Sequence, residues 1–155
     1  MDKMSETNEG LDLQKRPRQA LPTIRLARNE DGQAISELLT SLGWRAEGLI
    51  IDWNDIAPFW LVAEQDGVFI GCIQTLLSKP IGRLEFLAVR PDLSHPLQAL
   101  TVRALVLGGC ATLEKFGATA VAGTVPHELK SYKRVLKNRG AVVINTGSVF
   151  LKRLR

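Results

Sequence analysis

The order of elements read along the 155 residues is β-α-(α)-β-β-β-α-β-α-β-β, which predicts an α+β fold. The expected architecture is one domain with a mostly antiparallel, mixed sheet and helices on its faces. Three observations carry this expectation. Two apolar runs flank Gln65-Asp66-Gly67, a hairpin signal. A long helical pattern, Leu97 to Phe116, follows the strand Arg83 to Val89. A β-branched strand, Thr119 to Val125, then follows that helix.

Each element has its own justification. Met1 to Pro22 mixes acids (Asp2, Glu6, Glu9, Asp12) with bases (Lys15, Arg16, Arg18) and offers few core anchors. It reads as a flexible N-terminal arm, residues 1–22, ahead of a domain at 23–155. Thr23 to Leu26 is a short strand. Asp31 precedes a helix with Ala34, Ile35, Leu38, Leu39 and Leu42 on one stripe, and Gly43 stops it. Trp44 to Pro58 is irregular, with a short helix around Asp52 to Ile56. Trp60 to Glu64 and Val68 to Leu76 form the hairpin.

In the long helix, Leu100, Ala104, Leu107 and Ala111 make one stripe, and Gly117 ends it. The strand Thr119 to Val125 ends at Pro126. Glu128 to Arg139 is a helix stopped by Gly140. Ala141 to Ile144 and Ser148 to Leu154 close the fold as a hairpin around Asn145-Thr146-Gly147.

Composition narrows the function classes. A length of 155 residues suits one domain with a sizeable core, and an apolar fraction of 45% is ordinary for a globular chain. A net charge of +4 permits an anionic ligand without demanding one. Cys72 and Cys110 form no CxxC pair, and His95 and His127 are the only histidines, so no metal site is expected. The polar N-terminus lacks a secretory apolar region. Ala104 to Leu113, the most apolar stretch, is too short to span a bilayer. A cytoplasmic setting is the expectation, or the inside of a virus particle if the chain is an assembly subunit.

The segment Arg83-Leu84-Glu85-Phe86-Leu87-Ala88-Val89-Arg90-Pro91-Asp92 and the helix after it resemble the cofactor junction of GCN5-related N-acetyltransferases. Ile24-Arg25-Leu26-Ala27-Arg28 with its helix resembles the start of that family. The likeness covers nearly the whole chain after the arm. It implies transfer of an acetyl group from acetyl-CoA to a small amine or a protein amine. The cofactor would lie against Leu87 and Val89, with its pyrophosphate at the helix start, near Leu97, Gln98, Ala99 and Leu100.

The sequence departs from the family pattern in the loop. The pattern Gln/Arg-x-x-Gly-x-Gly/Ala falls on Ser94, His95, Pro96, Leu97, Gln98 and Ala99, and only Ala99 conforms. Pro96 has no N–H to donate to a phosphate, although it is a normal helix opener. Glu85 stands where some members carry a general base. Period-two alternation places it on one face with Arg83, Leu87 and Val89. The alternative is that it simply pairs with Arg83, Lys79 or a neighbouring strand. The family's acid, a tyrosine, falls on Leu136. Tyr132 is one turn earlier, about 6 Å along the axis, and is either a substitute donor or a packing residue.

Lys130, Lys133, Arg134 and Lys137 share one helix face. Without interleaved aromatics this reads as a solvated face, and nucleic acid is not an expected partner. Trp44, Trp53, Phe59 and Trp60 make either an acceptor pocket or a satellite core under the irregular segment. Two functions remain open. One is an N-acetyltransferase using Glu85. The other is a non-catalytic binding or assembly subunit on the same scaffold, joined to a protein partner or to itself through Met1–Pro22, as in a virion or larger complex.

Overall fold

The structure, a computed structural model, describes residues 20–44, 60–124, 136–138, 140–143 and 149–153. Seven strands are described: β1 (Thr23–Leu26), β2 (Trp60–Gln65), β3 (Val68–Ser78), β4 (Ile81–Val89), β5 (Ala120–Thr124), β6 (Val142–Val143) and β7 (Val149–Arg153). Two helices, α1 (Gly32–Ser41) and α2 (His95–Lys115), accompany them. The sheet runs β1-β2-β3-β4-β5-β7-β6. Only β4 and β5 pair in parallel, joined through α2, and every other pairing is antiparallel. The expected mixed, mostly antiparallel α+β architecture is what the chain forms.

Local chemistry explains the connections. Asp66 (φ 53°) and Gly67 (φ 76°) both take positive φ between the paired residues Gln65 and Val68. That is the two-residue turn whose twist matches a hairpin. A second hairpin joins β3 to β4 through Lys79 and Pro80. Its ladder reaches Ser78 and Ile81, so both strands run farther than the sequence stretches to Leu76 and from Arg83. Pro80 costs no ladder bond because it sits in the turn.

Three glycines end helical segments in the same way. Gly43, Gly117 and Gly140 have φ of 79°, 93° and 79°. After each, the next N–H reaches back to the carbonyl five residues earlier: Trp44 to Leu39, Ala118 to Leu113 and Ala141 to Leu136. This closes the orphan carbonyls of the last turn, and a left-handed residue is needed to do so.

Asp31 is the N-cap residue of α1, as its place before the helical pattern implies, but its side chain makes no cap bond to that helix. It ends a short 3-10 turn, Asn29–Asp31. Its carboxylate accepts from the Arg28 N–H at 2.6 Å and, bidentately, from Arg25 at 2.7 and 2.9 Å. Arg25 also donates to Glu64, so β1, β2 and the entry to α1 are tied together.

The core has two halves, one on each face of the sheet. Leu61, Ile73, Leu84, Leu105 and Leu113 pack beneath α2. Ile35, Leu39, Trp60, Val62 and Cys72 pack beneath α1. Burial on both faces is why Trp60-Leu61-Val62-Ala63 is continuously apolar and not alternating.

The face of α2 that meets the sheet differs from the stripe expected. Its buried residues are Leu97, Thr101, Leu105, Val106, Gly109, Cys110 and Leu113. Thr101 is tolerated there because its hydroxyl donates to the Leu97 carbonyl at 2.7 Å. Gly109 lets the helix settle onto Leu84 and Thr75. Leu100, Ala104 and Leu107 instead line a groove of about 290 Å³ with Leu21, Pro22 and Arg103. A helix with apolar residues on several sides carries more than one stripe, so its buried face does not follow from periodicity alone.

At 21 residues α2 is long and apolar enough to cross a membrane by length and composition. The stretch Ala104 to Leu113 inside it remains too short by itself. Here one face of α2 is packed on the sheet. The proposed helix from Glu128 lies outside the described residues except at 136–138, and so do the arm to residue 19 and the irregular segment from 45 to 59.

Candidate active site

The site begins with an irregularity in β4. Gln74 pairs with Glu85, and two residues earlier on β3 Cys72 pairs with Ala88, three residues farther along β4. One extra residue is therefore inserted in β4, a β-bulge. Phe86 occupies it with φ of 49°, a left-handed conformation that bulky side chains rarely take.

The bulge reverses which side chains face which helix. Before it, Leu84 packs beneath α2, and after it, so do Leu87 and Val89. Phe86 and Ala88 pack on the α1 side. Glu85 pairs with Gln74, which in turn pairs with Trp60 of the α1-side core, and cross-strand partners share a face. Glu85 and Arg83 thus share a face with Phe86 and not with Leu87 and Val89. The uninterrupted alternation expected from the sequence fails because it counts no bulge.

Beside the bulge the described pairing of β4 with β5 ends. β4 pairs with β5 from Ile81 only as far as Leu84, opposite Gly123. Among the described residues nothing pairs with Glu85 to Val89 on the β5 side. Their backbone polar groups on that side are left to other partners. Leu87 and Val89 thus turn main chain toward the β5 side while their side chains go into the core.

The N-terminus of α2 lies just beyond. Ser94 precedes it, with Pro96 in the first turn. Gln98 N–H bonds to the Ser94 carbonyl at 2.9 Å, the first intrahelical bond. The N–H groups of His95 and Leu97 fall within the first turn, where intrahelical acceptors are lacking, and Pro96 contributes none. Leu97, which replaces a pattern glycine, is only 9% exposed. Its side chain is turned inward and does not stand over the helix start. Ser94, His95, Pro96 and Ala99 are exposed.

The remaining candidates are dispersed. The Gln98 side-chain amide donates to the carbonyls of Leu93 at 2.9 Å and Pro91 at 3.1 Å, bracing the loop before the helix. Leu100 lies in the groove beside Leu21 and Pro22. That flank of α2 looks toward β1, as the contact of Gly108 with Ile24 shows, and away from the β4–β5 pair. Tyr132 lies outside the described residues.

Glu85 is half-buried, and its carboxylate forms an ion pair with Arg83. The pairing offered above as an alternative to catalysis therefore exists. It leaves the second carboxylate oxygen for another partner. Nearby, Arg90 is engaged with Asp92 and holds that exposed carboxyl below its usual range. Burial pushes the Cys72 thiol up to about 12, so it is no nucleophile at neutral pH. Among the described residues no three His, Cys, Asp or Glu side chains gather to hold a metal.

An aromatic group that sequence reasoning assembled only in part completes the site. The Phe86 ring lies edge-on to Trp44 at 5.2 Å between centroids and stacked on Trp60 at 6.2 Å. Trp44 and Trp60 belong to the aromatic cluster that the sequence suggests, and Phe86 stands outside it. No glycine or asparagine marks its left-handed backbone, so no local signal points to it. Trp53 and Phe59, the other two of that group, lie outside the described residues.

No family model and no curated protein matches this sequence. Solved structures do. The Escherichia coli N-acetyltransferase YhbS in complex with CoA is 24% identical, with a TM-score of 0.66 over 88% of this chain and 83% of that one. Ard1 from Thermoplasma volcanium is 18% identical, with a TM-score of 0.67 over 88% of this chain and 99% of that one. N-acetylglutamate synthase from Neisseria gonorrhoeae, with coenzyme A and L-arginine, gives a TM-score of 0.71 at 16% identity over 88% of this chain. The chain spans only 34% of that synthase. Sheet order, the parallel β4–β5 pair joined through α2 and these likenesses agree: the chain has the fold of the GCN5-related N-acetyltransferases.

Proposed function

We propose that this protein is an N-acetyltransferase that moves an acetyl group from acetyl-CoA to an amine. The observation that carries the reading is the bulge at Phe86 in β4, just beyond Leu84–Gly123, the last described β4–β5 pair. A strand edge with free main-chain groups can hold an amide-bearing arm much as a sheet edge holds an added strand. The residues of β4 from Glu85 to Val89 would do so. The first-turn N–H groups of α2 at His95 and Leu97 would face the pyrophosphate.

The fit is adequate, because the inward Leu97 leaves the helix start clear. It is weaker than a glycine-rich cradle, because Pro96 gives no donor. When bound, acetyl-CoA supplies the activated thioester. The chain's own part is to hold the amine beside that group and to accept its proton. Glu85 takes the proton, directly or through one water, while Arg83 fixes the carboxylate.

Titration of the full chain with acetyl-CoA in a calorimeter tests this. Saturable heat together with a thermal upshift is the expected result. No heat and no shift at millimolar ligand would overturn it.

One observation favours the second reading, an assembly subunit. Leu21 and Pro22, at the end of the proposed arm, already lie along an apolar groove on α2. A chain trimmed to residues 23–155 that keeps the oligomeric state of the full chain excludes assembly through the arm.

A further inference from the structure

We propose that the acceptor is a monoamine carried on an aryl or comparably flat apolar group, seated against Trp44 and Phe86 with its nitrogen toward Glu85. This rests on the acetyl-transfer reading above and adds the chemical class of the second substrate.

Three features of the α1 side of the bulge point to it. The first is an aromatic surface with a buried back and an open front. Trp60 is 1% exposed and closes the back of the stack, whereas Trp44 is 41% exposed at its rim. Phe86 bridges the two. A large ring left half in water beside other rings is a surface on which a flat apolar group gains contact area.

The second feature is rigidity. Trp44 is the residue whose N–H closes the C-terminal turn of α1 onto Leu39 at 3.0 Å, so its backbone is fixed by the helix. Phe86 is held at positive φ inside the sheet. Backbone outliers of this kind persist where surrounding structure over-determines them, and they concentrate at binding sites. Rings fixed in advance lose little entropy on binding.

The third feature is charge. Glu85 is adjacent to Phe86 and on the same face, and it is the only carboxylate on β4. Arg83 shares its charge. The carboxylates of Asp31 and Glu64 are both committed to Arg25. Among the described residues beside the rings, this partly compensated carboxylate suits one ammonium. The rings supply the rest, including the attraction of an aromatic face for a cation.

The transfer balances without another reactant. The neutral amine nitrogen bonds to the acetyl carbon as the carbon–sulfur bond breaks. One N–H proton ends on the released thiol by way of Glu85 and water.

The test compares 2-phenylethylamine with butane-1,4-diamine on the full chain, by calorimetry and by thiol release in the presence of acetyl-CoA. The expected result is at least tenfold tighter binding of 2-phenylethylamine. Trp44→Ala should weaken that binding about tenfold and raise KM more than it lowers kcat, while acetyl-CoA affinity stays unchanged. Trp44→Phe should restore most of the loss.

Preference for the diamine, no heat with either amine, or an affinity for 2-phenylethylamine indifferent to Trp44→Ala overturns the proposal. Those outcomes leave the acetyl-transfer reading standing if acetyl-CoA still binds. Failure of acetyl-CoA to bind sinks the parent reading instead, and the amine titration still reports whether the aromatic surface takes aryl groups.

Discussion

Gly71 on β3 lies so close to Ala88 on β4 that a Cβ placed on it would stand 2.8 Å from the Ala88 carbonyl oxygen. The same Cβ would meet Thr101 of α2 and Val89 of β4, each at 3.3 Å. Three elements therefore converge on the absence of one methyl group, immediately after the bulge that shapes the site.

Gly71→Ala should cost about 1–3 kcal/mol, because a backbone oxygen cannot rotate aside and β4 itself must move. Gly109→Ala is the informative comparison. Its Cβ would lie 2.6 Å from Leu84 Cδ2, a side-chain end that can turn. Alanine also gains about 1 kcal/mol over glycine inside a helix. Thermal or urea unfolding should rank Gly71→Ala as the more damaging. It should also lower acetyl-CoA affinity more, since it displaces β4 beside the bulge.

Phe86 gives a second ranking test. Truncating it removes its contacts with Trp44 and Trp60 whichever small residue replaces it. Phe86→Gly accepts φ of 49° without strain, whereas Phe86→Ala does not. The glycine variant should therefore be the more stable by about 0.5–1 kcal/mol. At an ordinary strand position the order is the reverse. Finding alanine equal or better in chemical denaturation would mean that the bulge relaxes once the ring is gone.

How much of this was legible follows from how local each signal is. The glycine stops at Gly43, Gly117 and Gly140 and the Asp66-Gly67 turn are short-range rules, and each is where the sequence puts it. The described β4–β5 pairing ends at Leu84, inside the strand that the family likeness marked. The bulge was not legible, since Phe86 looks like any strand aromatic and its conformation is imposed by pairing with β3. Nor was the buried face of α2, because Thr101 and Gly109 face the core on terms set by tertiary contact. The reading that failed, Glu85 on one face with Leu87, inherits the first of these gaps.

Both cysteines should be silent in the native protein. Cys72 and Cys110 are buried, and for Cys72 burial pushes the thiol up to about 12, so almost no thiolate exists at pH 8. Ellman's reagent should find close to none of the 2 thiols in the folded chain and both after denaturation. Rapid native labelling would mean that the region around β3 opens readily.

The acid limb of stability should depend on Asp31. The Arg25 guanidinium, followed by the Arg28 N–H, holds its carboxyl below its ordinary value of 3.8 in the folded chain. Above pH 3.8 Asp31 is ionised whether folded or not, so the stabilisation is fully present. As pH falls below that value the unfolded chain takes up the proton first. Stability then declines, and the contribution is gone below the folded value.

Asp31→Asn should flatten this part of the profile. At pH 7 it should cost about 1.5–3 kcal/mol, the worth of hydrogen bonds to a charged group. Glu64 remains to hold Arg25, so the variant should still fold. Urea unfolding of both proteins from pH 2.5 to 7 measures the two curves. They should converge as pH drops below 3.8, and parallel curves throughout would show that Arg25 does not depend on Asp31 for its charge partner.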